Sequence, residues 1–141
     1  MNVTIRDYIK GDFYIIKEID RETFNECTLS DFETDQTAMY SENKIYIAFS
    51  DNEPAGFVSI LKAKTLHYDG FWIDLLAVKP KFRGNGISGN LLDKAMEYAK
   101  SKGADIITAL VRENNSASNS SFEKNNFEKS TDFFSIYSKK L

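Results

Sequence analysis

Leu76-Ala77-Val78-Lys79-Pro80-Lys81-Phe82-Arg83-Gly84-Asn85-Gly86-Ile87-Ser88-Gly89 changes its hydrophobic period halfway along, and that change decides the fold. Upstream, Phe71–Val78 is an almost continuous apolar run, the pattern of a buried central strand, and Pro80 stops it because proline has no N–H for a ladder. Downstream, Ile87, Leu91, Leu92, Ala95, Tyr98 and Ala99 fall on one stripe of an amphipathic helix. Lys100 and Lys102 suit its last turn, and Gly103 suits a left-handed cap. The glycines between strand and helix let main-chain N–H groups turn toward a ligand with no Cβ in the way. The helix start adds unpaired N–H groups and the positive end of its dipole, a combination that favours an anionic phosphate. No acidic side chain follows until Asp93, and Lys79, Lys81 and Arg83 add nearby positive charge.

Working outward, Val3 and Ile5 predict a strand near residues 2–8, and Phe13, Ile15, Ile16 and Ile19 predict a helix after Gly11-Asp12. Ser30-Asp31-Phe32-Glu33 reads as a capping box opening a second short helix. Lys44–Phe49 alternates as a strand, Asp51-Asn52-Glu53-Pro54 has turn chemistry, and Ala55–Lys64 reads as a long strand. Beyond Gly103, Ile106–Val111 reads as a buried strand. A short polar helix then precedes an aromatic-rich finish, Phe127 to Tyr137, with the composition of a β-hairpin. The order β-α-α-β-β-β-α-β-α-β-β implies a mixed α/β domain over residues 1–141, without linker or repeat. The one low-complexity stretch, Asn114–Ser121, reads as a loop on composition alone.

At 141 residues, 42% of them hydrophobic, with scarce proline and glycine, the chain is expected to fold as one soluble domain. A net charge of −3 argues against nucleic acid, whose phosphates call for a basic surface. The apolar runs are too short for a membrane span, and no leader pattern opens the chain. The single cysteine, Cys27, permits no internal disulfide, so a cytoplasmic location is expected. With no histidine near it in sequence, Cys27 reads as a small buried residue rather than a nucleophile.

Gly84, Gly86 and Gly89 also fit the dinucleotide fingerprint, with Asp105 about twenty residues on. Lys79–Arg83 intervenes where that motif keeps its first glycine next to the strand, however, and Asp105 precedes the next strand instead of ending it. A phosphate-binding Walker loop fails for want of a Gly-Lys-Ser/Thr.

The segment resembles the core motif of the GNAT acetyltransferases: a strand ending in a Leu-Ala-Val-like triplet, a proline, Arg/Gln-x-x-Gly-x-Gly/Ala, and an amphipathic helix. Leu76-Ala77-Val78, Pro80, and Arg83-Gly84-Asn85-Gly86-Ile87-Ser88 match it, with Ser88 where Gly or Ala is usual. A second family pattern, Asn-x-x-Ala, an aromatic four residues on, then Gly-Phe, is similar to Asn115, Ser118, Phe122, Asn126 and Phe127. Asn126 is the next-best residue to glycine for a left-handed helix end. Ser120-x-x-Glu123 offers that helix a later start.

The resemblance implies a mixed, mostly antiparallel twisted sheet flanked by helices, with acetyl-CoA as donor. Its diphosphate would lie on the main chain of Arg83, Gly84, Asn85, Gly86, Ile87 and Ser88, and its pantetheine arm would pair with Leu76 and Val78. Asn115 and Phe122 would lie on a cofactor-facing helix. No metal is implied. The family's usual thiolate-protonating tyrosine aligns with Phe122 and its usual strand base with Trp72, so both acid–base positions are empty. Asp74, on the strand face of Trp72, and His67, in the loop before that strand, are the candidate substitutes; Tyr68 and Tyr137 are weaker ones.

The family's first two helices border the acceptor cleft. Here that region carries Glu18, Asp20, Glu22, Glu26, Asp31, Glu33 and Asp35 against Arg21, which would favour a cationic small-molecule or peptide amine. Phe127, Phe133, Phe134 and Tyr137 are expected to pack the terminal hairpin into the core or across the interface of a homodimer. The implied activity is N-acetyl transfer to an amine by direct attack. A catalytically idle acyl-CoA sensor is the alternative that Trp72 and Phe122 suggest.

Overall fold

The computed structural model describes residues 1–24 and 31–141. Cys27, Glu26 and the Ser30 end of the expected capping box lie outside the described residues. Contacts gather the chain into two compact units, Met1–Leu110 and Val111–Leu141.

The first unit is a five-stranded sheet in the order β1-β2-β3-β4-β5. Strands β1 (Val3–Asp7), β2 (Lys44–Ser50), β3 (Glu53–Lys64) and β4 (Asp69–Val78) form an antiparallel meander. The turn from β2 to β3 is tight because Asp51 and Asn52 both take left-handed conformations, with φ of 48° and 68°. Strand β5 (Ile106–Ala109) lies parallel to β4, and reaching it requires the crossover helix α3 (Ile87–Ser101). The apolar run thus makes β4 an interior strand, one place from the centre, which β3 occupies.

Each sheet face is covered. On one, Ile15, Ile16 and Ile19 of α1 (Phe13–Phe24) pack with Tyr8, Ile45, Ile47, Phe57 and Ala77, and Leu75 packs against that cluster. Helix α2 (Asp31–Ala38) adjoins α1. On the other, α3 buries the stripe Ile87, Leu91, Leu92, Ala95 and Ala99. Tyr98 extends it, standing edge-on to Phe71 at 5.6 Å between ring centroids. Gly103 ends α3 as anticipated, at φ 75°, with Ala104 N–H donating to Ala99 O at 3.0 Å.

In the second unit, α4 (Ser116–Lys124) occupies the stretch whose composition read as a loop. Asn115 starts it, its side chain accepting from Ser118 N–H at 3.1 Å. Ser120 lies inside the helix, so the later capping box is not its beginning. Asn126 ends it at φ 66°, in glycine's place.

The expected terminal hairpin is not formed, and residues after Lys124 carry neither helix nor strand. Phe127 packs edge-on against Phe122 at 5.1 Å, but Phe133, Phe134, Ile136 and Tyr137 are exposed. Aromatic richness reports fit to a half-buried pleated surface rather than a backbone preference. The adjacent pair Phe133-Phe134 also breaks the period of two that would put apolar side chains on one face.

Candidate active site

The loop after β4 has the geometry that its glycines allow. Lys79 N–H still donates to Ala55 O of β3 at 2.8 Å. A single 3₁₀ turn, Pro80–Phe82, follows, and Arg83 is extended. Gly84 and Gly86 then sit in the left-handed region at φ 80° and 77°, where any side chain is strained. The Asn85 amide ties the turn down by donating to Phe82 O at 3.1 Å and Arg83 O at 3.3 Å. Gly86 caps α3 without a side-chain acceptor, and Asn90 N–H donates back to Gly86 O at 3.0 Å. The helix start thus faces solvent with no acid in its first turn. A Cβ added to Gly84 or Gly86 would meet nothing within 4 Å, so the space before the loop is open. This cradle fits a diphosphate.

Charge around the loop is less than the sequence suggested. Lys79 is buried, its Nζ 3.1 Å from Glu18 Oε1 and 3.4 Å from Glu22 Oε2. Lys81 is paired with Glu53, and Arg83 Nε donates to Val78 O at 3.1 Å. The same pairs draw down the acidic surplus of the helical region. Glu18 and Glu22 serve Lys79, Asp20 is buried, and Asp35 accepts from the Tyr8 hydroxyl and from Gly11 N–H. Main-chain donors, more than side-chain cations, are therefore what the loop offers an anion, and fewer carboxylates remain to steer an acceptor than their number implied.

Beside the loop, part of one edge of β4 is paired with no other strand among the described residues. Pairing with β5 stops at Ile73↔Ala109. Main-chain groups alternate sides along a strand. Because Lys79 N–H points to β3, the N–H and C=O of Val78 and Leu76 point to the opposite, β5 side. That is the edge expected for a strand-like partner at Leu76 and Val78, with Val78 O already accepting from Arg83 Nε.

Where the two pairings part, β4 also bulges. Ser59 pairs with Leu75 and Ile60 with Ile73, which leaves Asp74 as the extra residue. Bulges of this kind re-aim side chains. Asp74 lines a cavity of about 310 Å³ with Leu61, Ala63, Trp72 and Leu110. The indole of Trp72 is held by its N–H, which donates to the Tyr68 hydroxyl at 3.1 Å. Asp74 has surface open to solvent, yet the protein crowded around it desolvates the carboxyl and pushes it above the ordinary carboxylate range. Lys62, also at the cavity, is engaged by Asp69 and by Glu42 at 3.6 Å.

The other sequence candidates fall elsewhere. His67 is exposed in the β3–β4 turn, its N–H donating to Thr65 Oγ1, and it does not line the cavity. In the second unit, Asn115 caps α4 and Phe122 is buried on the same helix. Tyr137 is exposed. Two features escaped sequence reading. The bulge at Asp74 has no local signature, whereas Glu18 and Glu22, four apart on α1, did carry a signal for a cation between them.

A glycine loop of exposed main-chain donors opening a helix, beside the stretch of β4 beyond its last pairing with β5, is the arrangement that an acyl-CoA-dependent transferase of the α/β class would use. The family model described as the acetyltransferase (GNAT) family matches residues 9–127, and the chain belongs to that family. It is accordingly an acetyltransferase, with the family's donor, acetyl-CoA. Among solved structures, it is similar to AAC(6')-Iy in complex with the bisubstrate analogue CoA-S-monomethyl-acetylneamine, at 17% identity, TM-score 0.85, and 100% coverage of both chains. A putative acetyltransferase from Agrobacterium tumefaciens aligns at 16% identity and TM-score 0.83, over 96% of this chain and 99% of that one. The aminoglycoside 6'-N-acetyltransferase AAC(6')-Ih from Acinetobacter baumannii aligns at 13% identity and TM-score 0.81, over 99% of each. At these identities the likeness establishes the fold alone. No curated protein sequence matches significantly.

Proposed function

We propose that the chain transfers the acetyl group of acetyl-CoA to a primary amine, small and cationic or carried by a peptide, by direct attack in a ternary complex. The observation that carries this reading is the loop opening α3, with Gly84 and Gly86 both left-handed, next to the stretch of β4 beyond its last pairing with β5. In it, the main chain of Arg83, Gly84, Asn85, Gly86, Ile87 and Ser88 binds the diphosphate, and Leu76 and Val78 hold the pantetheine arm. Acetyl-CoA supplies the thioester. The aminoglycoside 6'-N-acetyltransferases that share the fold support an amine acceptor.

An amine enters as an ammonium and must lose a proton before it can attack. Asp74, on the cavity wall, takes that proton when ionised, and its raised affinity for protons makes it a better base than an ordinary carboxylate. Trp72 and Leu61 form the apolar side of the same cavity and limit the water around the reacting groups. Positioning can contribute about 7–11 kcal/mol and a proton-transfer group about 10²–10⁴-fold, so an enzyme lacking both usual acid–base residues still accelerates the reaction.

Trp72 and Phe122 favour a second reading, a CoA-binding sensor without turnover. A thiol-release assay over a panel of amines, run on wild type and Asp74→Asn, separates the two. Acetyl transfer that falls at least about tenfold in Asp74→Asn, with CoA affinity unchanged, supports the enzyme and its base. CoA binding with no thiol release on any amine supports the sensor.

A further inference from the structure

Lys79 has no part in the chemistry above, yet its side chain is only 1% exposed. Lysine is almost never buried unless paired. Its partners are Glu18 and Glu22 on successive turns of α1, each 47% exposed, so the ammonium is withdrawn from water while its carboxylates are not. The main chain of Lys79 is fixed as well, through the hydrogen bond to Ala55 O of β3.

Its place in the chain gives this arrangement a consequence. Val78, one residue before, carries main-chain groups that point to the β5 side. Pro80, one residue after, begins the turn into Arg83–Gly86. On the other side, α1 packs against β3 and β4, over the face where Leu75 follows Asp74. A shift of α1 along its axis would pull one carboxylate from a buried ammonium, and a shift of the loop would do the same from the opposite end. Neither can move far without the other.

We infer that Lys79 is a positioning residue, coupling α1 to the loop so that CoA bound at the loop also orders the helix that packs against β3 and β4. The inference rests on the proposed function for what the loop binds.

Hydrogen–deuterium exchange with CoA as the probe tests it, because no acceptor is then needed. In wild type, saturating CoA slows exchange in residues 83–90 and, through Lys79, slows exchange across α1 by about fivefold or more, within the usual range of coupling between sites. Lys79→Met keeps the loop protection and loses the α1 response, since the two carboxylates left behind already face water. Lys79→Arg, which can still reach them, retains the response. Should Lys79→Met fail to fold, Glu18→Gln/Glu22→Gln tests the same link from the helix side and is expected to lose the α1 response too. Loop protection with no α1 response in wild type, or an equal α1 response in Lys79→Met, would overturn the coupling alone. Wild type showing no CoA protection anywhere would overturn the proposed function and this inference with it.

Discussion

Gly86→Asp separates the stability of the loop from its use. Gly86 has φ 77° and ψ 7°, a conformation that costs a side-chain-bearing residue roughly 1–2 kcal/mol, with aspartate at the low end. The substitution meets no steric obstacle, since nothing lies within 4 Å of the new Cβ. An aspartate at the head of α3 also recovers about 0.3–1 kcal/mol from the helix dipole. Folding stability should therefore drop by no more than about 1–2 kcal/mol. Binding is another matter. A carboxylate about 5 Å from one diphosphate charge, at an effective dielectric constant of about 20, opposes it by about 3 kcal/mol, or roughly 200-fold in affinity. Thermal melting and calorimetric titration with CoA measure the two quantities separately, and Gly86→Asn supplies the same backbone strain without the charge. The defect of Gly86→Asp relative to Gly86→Asn should shrink as salt is raised and the exposed charges are screened. If the two variants bind CoA within threefold of one another, the diphosphate does not sit at this helix start.

Three further outcomes are expected. Burial raises the Asp74 carboxyl, so between the ordinary carboxylate value and that raised value the folded chain binds more protons than the unfolded one, and stability falls as pH rises through the window. Asp74→Asn should flatten that fall in a series of melting curves and remove the acid limb, set by the same ionisation, from the pH–rate profile. Phe122→Tyr supplies the phenol that the resemblance to the family implies at this position and should raise kcat by about tenfold in steady-state assays, at some loss of melting temperature because Phe122 is buried against Phe127. Gly56→Ala would place a Cβ 2.5 Å from Ala77 O and 3.3 Å from Val78 Cα, an overpacking against main chain that should cost about 1–3 kcal/mol in urea denaturation. It should also weaken CoA binding by displacing the β4 edge.

Much of this was legible in the chain because it is encoded locally. The apolar run before Pro80, the stripe from Ile87 to Ala99 and the glycines between them each reflect a short-range rule of period or backbone freedom, and all three elements lie where those rules put them. Asn126 at a left-handed helix end is legible for the same reason. What was not legible depends on partners distant in sequence. In sequence Lys79 and Lys81 read as charges for a ligand, but Glu18, Glu22 and Glu53 claim them. Asp74 could be nominated from its position two residues past Trp72, but the bulge that aims it arises from a register shift against β3. The terminal aromatics carried strand composition, and only the structure shows Phe133–Tyr137 without a ladder.

A crystal structure of the CoA complex addresses the central claim most directly. It should place diphosphate oxygens within hydrogen-bonding distance of main-chain N–H groups between Gly84 and Ser88, with the pantetheine arm alongside Leu76 and Val78. Coenzyme A bound anywhere else, with that loop left untouched, would contradict the account.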